Sequence, residues 1–177
     1  MVHSMSEKNI RIMGVDPGSR LAGVAFLEAQ GSHLRHLENG VIRLKPKEEL
    51  GRRLLSLSLQ LQDLIEKYQP SVVVVEKVFL GKNVASAFTL GHARGVVLAE
   101  AARVGAEILE CAPRAVKKGV TGHGGADKAH VQSFLSSIFQ IRKFETEDAS
   151  DALALALYGA RIWQRERTFA QQGVSLR

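Results

Sequence analysis

Four carboxylates stand out for where they sit in the chain. Asp16 ends the apolar run Ile12 to Val15 in "RIMGVDPGSRLAGVAFLE" and is followed at once by Pro17-Gly18. Glu76 ends a second apolar run, "SVVVVEK", in the same way. Asp148 and Asp151, in "EDASDALALAL", are three residues apart and share one face of a helix. A carboxylate at the end of a buried strand is costly to desolvate unless something binds it. Gathered in one pocket, four acids repel, so that either some stay protonated or a cation sits between them. Oxygen ligands with no Cys and no paired His spacing suit Mg²⁺ or Mn²⁺. Two such ions about 4 Å apart would activate a water and stabilise the leaving oxygen of a phosphodiester.

Each acid also has a plainer reading. Asp16 next to Pro-Gly can simply start a turn. Glu147 and Asp148 can be first-turn acids favoured by the helix dipole, and Glu76 can face solvent at a strand end. What these readings leave unexplained is why three separate apolar elements each deliver carboxylates where the others can deliver theirs.

The elements that must position the acids follow from the hydrophobic pattern. Alternation over 11–15, 21–28 and 33–43, joined by Pro-Gly and Gly-Ser turns, predicts a three-stranded antiparallel meander. Pro17 and Gly18 fit the centre of a type II turn. Leu50, Leu54, Leu57, Leu61, Leu64 and Tyr68 step by four and three, the signature of an amphipathic helix closed by Pro70. "SVVVVEK" reads as a strand covered on both faces. Residues 83–103 read as a helix, with Gly91 and Gly95 four apart so that another helix can approach closely. "AEILECA" reads as a strand and 113–119 as a short helix. The "TGHGGADK" loop leads into a helix from about 127 to 139, and a last helix runs from about 147 to 165. Its Ala149, Ala152 and Ala154 would let it lie close to the sheet. The expected architecture is a mixed α/β sheet with helices on both faces, one domain over 10–165 flanked by flexible tails at 1–9 and 166–177.

Composition bounds the class. The chain has 177 residues, enough for one substantial core. No apolar stretch is long enough to span a membrane, because "VASAFTLGHARGVVLAEAA" is interrupted by His92 and Arg94. The N-terminal "MVHSMSEKN" lacks the apolar core of a signal peptide. A single cysteine, Cys111, excludes an internal disulfide and a Cys-rich zinc site. The expectation is a cytoplasmic protein. Its net charge of +6 suggests a polyanionic partner. Between Cys111 and Lys143 the basic residues Arg114, Lys117, Lys118, Lys128, Arg142 and Lys143 face one acid, Asp127. Lys128 follows a Gly-rich loop in the first turn of a helix, where free N–H groups favour a phosphate. That loop lacks the GK[ST] ending of a P-loop.

Taken together, "GVDPGSRLAG", "VVVVEKVFLGKNVASAFTLGHARGV", "RAVKKGVTGHGGADKAHVQ" and "EDASDALALAL" resemble the RuvC family of Holliday-junction resolvases, in the family's order and spacing over about residues 10 to 162. "DPG" alone is a weak signal; the four blocks together are specific. The resemblance implies the ribonuclease H-like fold and a Mg²⁺-dependent homodimer that nicks two opposing strands of a four-way DNA junction. It also implies partnership with a branch-migration motor. Carried over by motif, the catalytic and metal-binding carboxylates fall on Asp16, Glu76, Asp148 and Asp151; which of them is shared between two ions is left open, with Asp16 the candidate. Some members carry His at the third of these positions, where this chain has Asp148. Lys117 and Lys128 match lysines the family uses on junction phosphates. Phe79 matches an aromatic that inserts among unpaired bases, and its alternative is a core Phe beneath the next helix. By the same resemblance, the Gly91 to Gly95 helix lies near the dimer interface.

Three rival readings can be separated from this one. YqgF-type nucleases share the fold and a similar "DPG" block but act on RNA and lack an equivalent of "GHGGADK". Actin-like kinases and ATPases also begin with an Asp and Gly turn, yet need a duplicated domain for which 177 residues leave no room. A non-catalytic junction-binding protein would have no need of four acids.

Overall fold

Strand alternation and β-branched runs build a five-stranded sheet in the order β3-β2-β1-β4-β5. The computed structural model describes residues 9–77 and 84–171. Its strands are β1 (Ile10–Asp16), β2 (Leu21–Gln30), β3 (His33–Arg43), β4 (Val72–Glu76) and β5 (Glu107–Cys111). Strands β1, β2 and β3 form the expected antiparallel meander. Strand β4 then pairs parallel to β1, and β5 parallel to β4. The helices are α1 (Leu50–Tyr68), α2 (Val84–Arg103), α3 (Pro113–Thr121), α4 (Lys128–Phe139) and α5 (Glu147–Gln171).

The period of two along a strand divides the core into two layers. Met13, Val15, Val24, Phe26, Val73 and Val75 face α1 and α2, where Leu57, Leu61, Ala93, Val97 and Ala101 meet them. Ile12, Ala25, Leu27, Val72 and Val74 face the other way, onto α5 and its flanking helices α3 and α4. Asp16 and Glu76 share the parity of Ile12 and Val74, which puts both carboxylates on the α5 side.

Helix α5 lies on the sheet because glycines let it. A Cβ added to Gly14 would sit 2.0 Å from the Ala152 carbonyl oxygen, and one added to Gly23 would sit 1.9 Å from that of Asp148. On the helix side, Ala149, Ala152, Ala156 and Ala160 are fully buried. A Cβ at Gly159 would meet a Val74 methyl at 2.4 Å. Small residues on both partners therefore bring the start of α5 against the ends of β1 and β2.

Several expectations need revision. Gly18 has no positive φ, so Pro17-Gly18 is not a type II turn. Its glycine is required for space, since a Cβ would fall 1.8 Å from the Leu21 carbonyl oxygen. The loop is tied instead by the Leu44 N–H donating to the Arg20 carbonyl (2.9 Å) and Arg53 Nη1 donating to that of Ser19 (3.3 Å). Helix α1 ends on Gln69 in the left-handed conformation, whose N–H donates to Ile65, one residue before Pro70. Among the described residues nothing lies within 4 Å of a Cβ added at Gly91 or Gly95, so the room expected there for another helix is left open. Finally, α5 passes its expected end at 165 and continues to Gln171, because "RERTFAQ" is built of residues that tolerate a helix, with no glycine before Gly173. Residues 166–171 are thus helix and not tail.

Candidate active site

The parallel register of β1 and β4 sets Val15 beside Val75, so the next residues, Asp16 and Glu76, leave adjacent strands at the same edge. Ligands of open α/β sheets bind outside such carboxyl ends. Across the antiparallel pair, Asp16 lies opposite Gly23, the glycine on which the Asp148 backbone rests. The Thr146 hydroxyl accepts the Ala149 N–H (3.2 Å) and so caps the start of α5. Buried Ser150 donates to the Glu147 carbonyl (2.7 Å) and accepts from Gln132 of α4 (3.0 Å), fixing the first turn that carries Asp148 and Asp151.

Asp16, Glu76 and Asp151 line one pocket of about 370 Å³, together with Lys117 of α3 and Lys128 of α4. Asp148 does not line it, but its charge bears on both Asp16 and Asp151. Burial is the main force on all three pocket acids. It pushes the Asp16 carboxyl up to about 7, helped by Asp151, Glu76 and Asp148 in that order. Glu76 and Asp151 are also raised by burial, and lysine charges oppose the shift in each. An acid raised this far by burial and like charges in a cleft is a recognised mark of a functional site.

Helix α3 presents Lys117 because Gly119 packs under the Tyr158 ring, where a Cβ would lie 2.3 Å from a ring carbon. Arg161 of α5 also donates to the carbonyls of Gly119 and Val120 at the end of α3. Lys128 departs from expectation. It is the first residue of α4, but Asp127 caps that helix by accepting the His130 N–H (2.7 Å), so one free donor is already taken. The Lys128 Nζ turns inward, 2.9 Å from Glu147 Oε2 and 3.3 Å from Asp151 Oδ2. Those contacts hold its own pKa above the usual lysine range, the Glu147 hydrogen bond first. Phe79 lies outside the described residues.

Two participants escaped the sequence reading. Glu147 reads from the sequence only as a first-turn acid, yet it is the nearest partner of Lys128. Arg94 of α2 donates to the Glu76 carbonyl (3.3 Å) and pairs with Glu110 of β5, pinning the strand end that carries Glu76. Its sequence signal is a charge in the middle of a largely apolar helix.

The donors are oxygen alone and the acids crowd one another, a set that fits a hard divalent cation. Among the described residues, no three His, Cys, Asp or Glu side chains stand close enough to hold an ion as they are. The carboxylates line a shared pocket, with the Lys128 ammonium against Asp151, and do not close into a cage.

Comparison with known proteins gives the family and the fold. The family model for crossover junction endodeoxyribonuclease RuvC matches residues 12–158. The RuvC protein of Bdellovibrio bacteriovorus is 46% identical over 165 residues, covering 93% of this chain and 98% of the relative. That of Citrifermentans bemidjiense is 41% identical, covering 82% and 89%. Among solved structures, T. thermophilus RuvC in complex with Holliday junction substrate superposes with a TM-score of 0.82 at 26% identity, covering 88% of this chain and 96% of that one. RuvC structures have the ribonuclease H-like fold, which the five-stranded mixed sheet reproduces. The chain belongs to the RuvC family of crossover junction endodeoxyribonucleases.

Proposed function

We propose that this protein resolves four-way DNA junctions by paired nicks, using Asp16, Glu76, Asp148 and Asp151 as its catalytic carboxylates and Lys117 and Lys128 as phosphate contacts. The observation that carries this reading is the pocket where β1, β4 and α5 meet, in which three half-buried acids and two lysines face the same space. RuvC family nucleases are metal-dependent, and we take the ions to be two Mg²⁺ per site, with Mn²⁺ as a substitute. Bound by these carboxylates, they supply Lewis acidity to the attacking water and to the leaving oxygen.

The chain's own residues do the positioning. Asp16 and Glu76 are rigid because each ends a buried strand, and α5 is held against them by the glycine contacts. Lys117 on α3 and Lys128 on α4 flank the pocket and can hold the scissile phosphate while the acids orient the water for in-line attack. Water oxygen bonds to phosphorus as the bond to the 3′-oxygen breaks, leaving a 5′-phosphate and a 3′-hydroxyl. Phe79, three residues beyond the end of β4 in the sequence, would stack among unpaired junction bases.

A homodimer would present two such sites to two opposing strands. Support comes from the outer face of α2, where Phe88 is 66% exposed and the space over Gly91 and Gly95 is open. This face lies opposite the buried row Ala93, Val97 and Ala101. Among the described residues no helix is long and apolar enough to cross a membrane, and a DNA substrate is in keeping with a cytoplasmic protein.

The test compares wild type, Asp16→Asn and Glu76→Gln on mobile four-way junctions with and without Mg²⁺. Both variants should bind the junction and fail to nick it. Normal nicking by either refutes the site, and preferential cleavage of a structured RNA refutes the substrate.

A further inference from the structure

We infer that Lys128 is the resident counter-ion of the carboxylate pocket, competing with the divalent cation for Asp151 until the cation displaces it. The inference rests on the site proposed above and goes beyond a phosphate-binding role for this lysine.

Its basis is where the ammonium sits. A lysine kept for DNA alone would extend toward solvent, but Lys128 Nζ is 3.3 Å from Asp151 Oδ2 and lines the pocket with Asp16 and Glu76. Among the described residues it is the one cation whose charge bears on all three of these acids; Lys117 bears only on Glu76. The four site acids and Glu147 bring five formal negative charges against the positive charges of Lys117 and Lys128, so the pocket retains an anionic excess. A divalent cation offsets two of those three excess charges, and an ammonium beside Asp151 then becomes its like-charged neighbour. The lysine must leave, and a DNA phosphate offers it a new anion.

Glu147 makes the exchange easy. Its backbone is fixed in the first turn of α5, while its side chain is 66% exposed and stands outside the pocket. The Lys128 to Glu147 pair at 2.9 Å therefore anchors the ammonium at the rim. Exposed ion pairs are weak enough to break and re-form. Lys128 can swing from Asp151 toward the rim without losing its anionic partner.

Mn²⁺ binding to the DNA-free protein, read by electron paramagnetic resonance titration, tests this directly. Lys128→Met should bind Mn²⁺ at least fivefold more tightly than wild type. Lys128→Arg, which keeps the charge, should stay within about twofold of wild type. The lysine is 57% exposed at a helix start, so thermal melting should find all three proteins folded alike. Asp16→Asn is the control and should lose Mn²⁺ affinity. Unchanged or weaker Mn²⁺ binding by Lys128→Met, with the control behaving as expected, overturns the counter-ion role and leaves the metal site standing. Equal binding by wild type and Asp16→Asn overturns both.

Discussion

Replacing Asp16 by Asn should stabilise the cation-free protein while destroying its chemistry, and the size of the gain can be worked out. Burial and three neighbouring carboxylates raise the Asp16 carboxyl from 3.8 to about 7. The folded state therefore binds more protons at this residue than the unfolded chain does between those limits. Stability from this group falls as pH rises through that window, by about 1.4 kcal/mol per pH unit, and is flat above it. At pH 8 the ionised carboxylate costs the fold about 4 kcal/mol as an upper figure. An Asn amide avoids the charge but leaves donors short of partners, which takes back ~1–3 kcal/mol. A net gain of roughly 1–3 kcal/mol remains, about 3 °C or more in melting temperature for a chain of this size.

The assay is thermal or urea unfolding of wild type and Asp16→Asn at pH 8 and pH 5, in EDTA and in saturating Mg²⁺. In EDTA the advantage of the variant should shrink by more than half at pH 5, where the wild-type carboxyl is already largely protonated. Saturating Mg²⁺ should stabilise only the wild type, by about 2.7 kcal/mol at a hundred times its dissociation constant, and close or reverse the gap. If Asp16 merely started a turn, Asn would serve as well, and the two proteins would melt together at both pH values. That result, or a destabilised variant at pH 8, refutes the reasoning.

Other expectations follow from single contacts. Gly23→Ala should cost at least ~2 kcal/mol in urea unfolding and reduce nicking, since its methyl would lie 1.9 Å from a backbone oxygen of Asp148 that cannot yield alone. Leu57→Ala, in the layer beneath the opposite face of the sheet, should cost about 2–5 kcal/mol while leaving Mn²⁺ affinity unchanged. Phe79→Ala should weaken junction binding by about five- to a hundredfold with no change in melting temperature if the ring stacks on bases. A fall in stability with unchanged binding would make it a core residue instead.

Much of the frame was legible because burial writes itself into period and run length. The meander, the doubly covered Val72–Glu76 strand and the alanine-rich last helix all follow from apolar spacing. The shared side of Asp16 and Glu76 does not, because a strand apolar on both faces carries no parity signal; it is fixed by the register of β1 against β4. What spacing does not encode is distance between elements. Gly14 and Gly23 read as ordinary strand residues until the backbone of α5 is found against them. Gly18 invited a turn type from its neighbour Pro17, whereas the local crowding at Leu21 is what excludes a side chain. Lys128 looked free to meet a phosphate because a sequence shows which helix end a lysine occupies and not which way a flexible stem bends. Glu147 was passed over for the same reason.

The close packing of α5 links these points. A helix resting on a sheet normally keeps side chains between them, about 10 Å from axis to strands. Here glycine on the sheet and alanine on the helix remove that layer at Gly14 and Gly23, so the backbone at Asp148 lies directly over β2. The first turn of α5 thereby brings its acids to two strand ends that already carry acids. Repulsion among them would push the helix away if the packing were soft. It cannot yield, because Ala152, Leu153, Ala156 and Leu157 are buried in the same contact. Burial first, and the repulsion of Asp151, Glu76 and Asp148 after it, therefore act on protonation and raise the Asp16 carboxyl. An apolar interface thus sets the charge state of the site, and a cation is the agent that can relieve it.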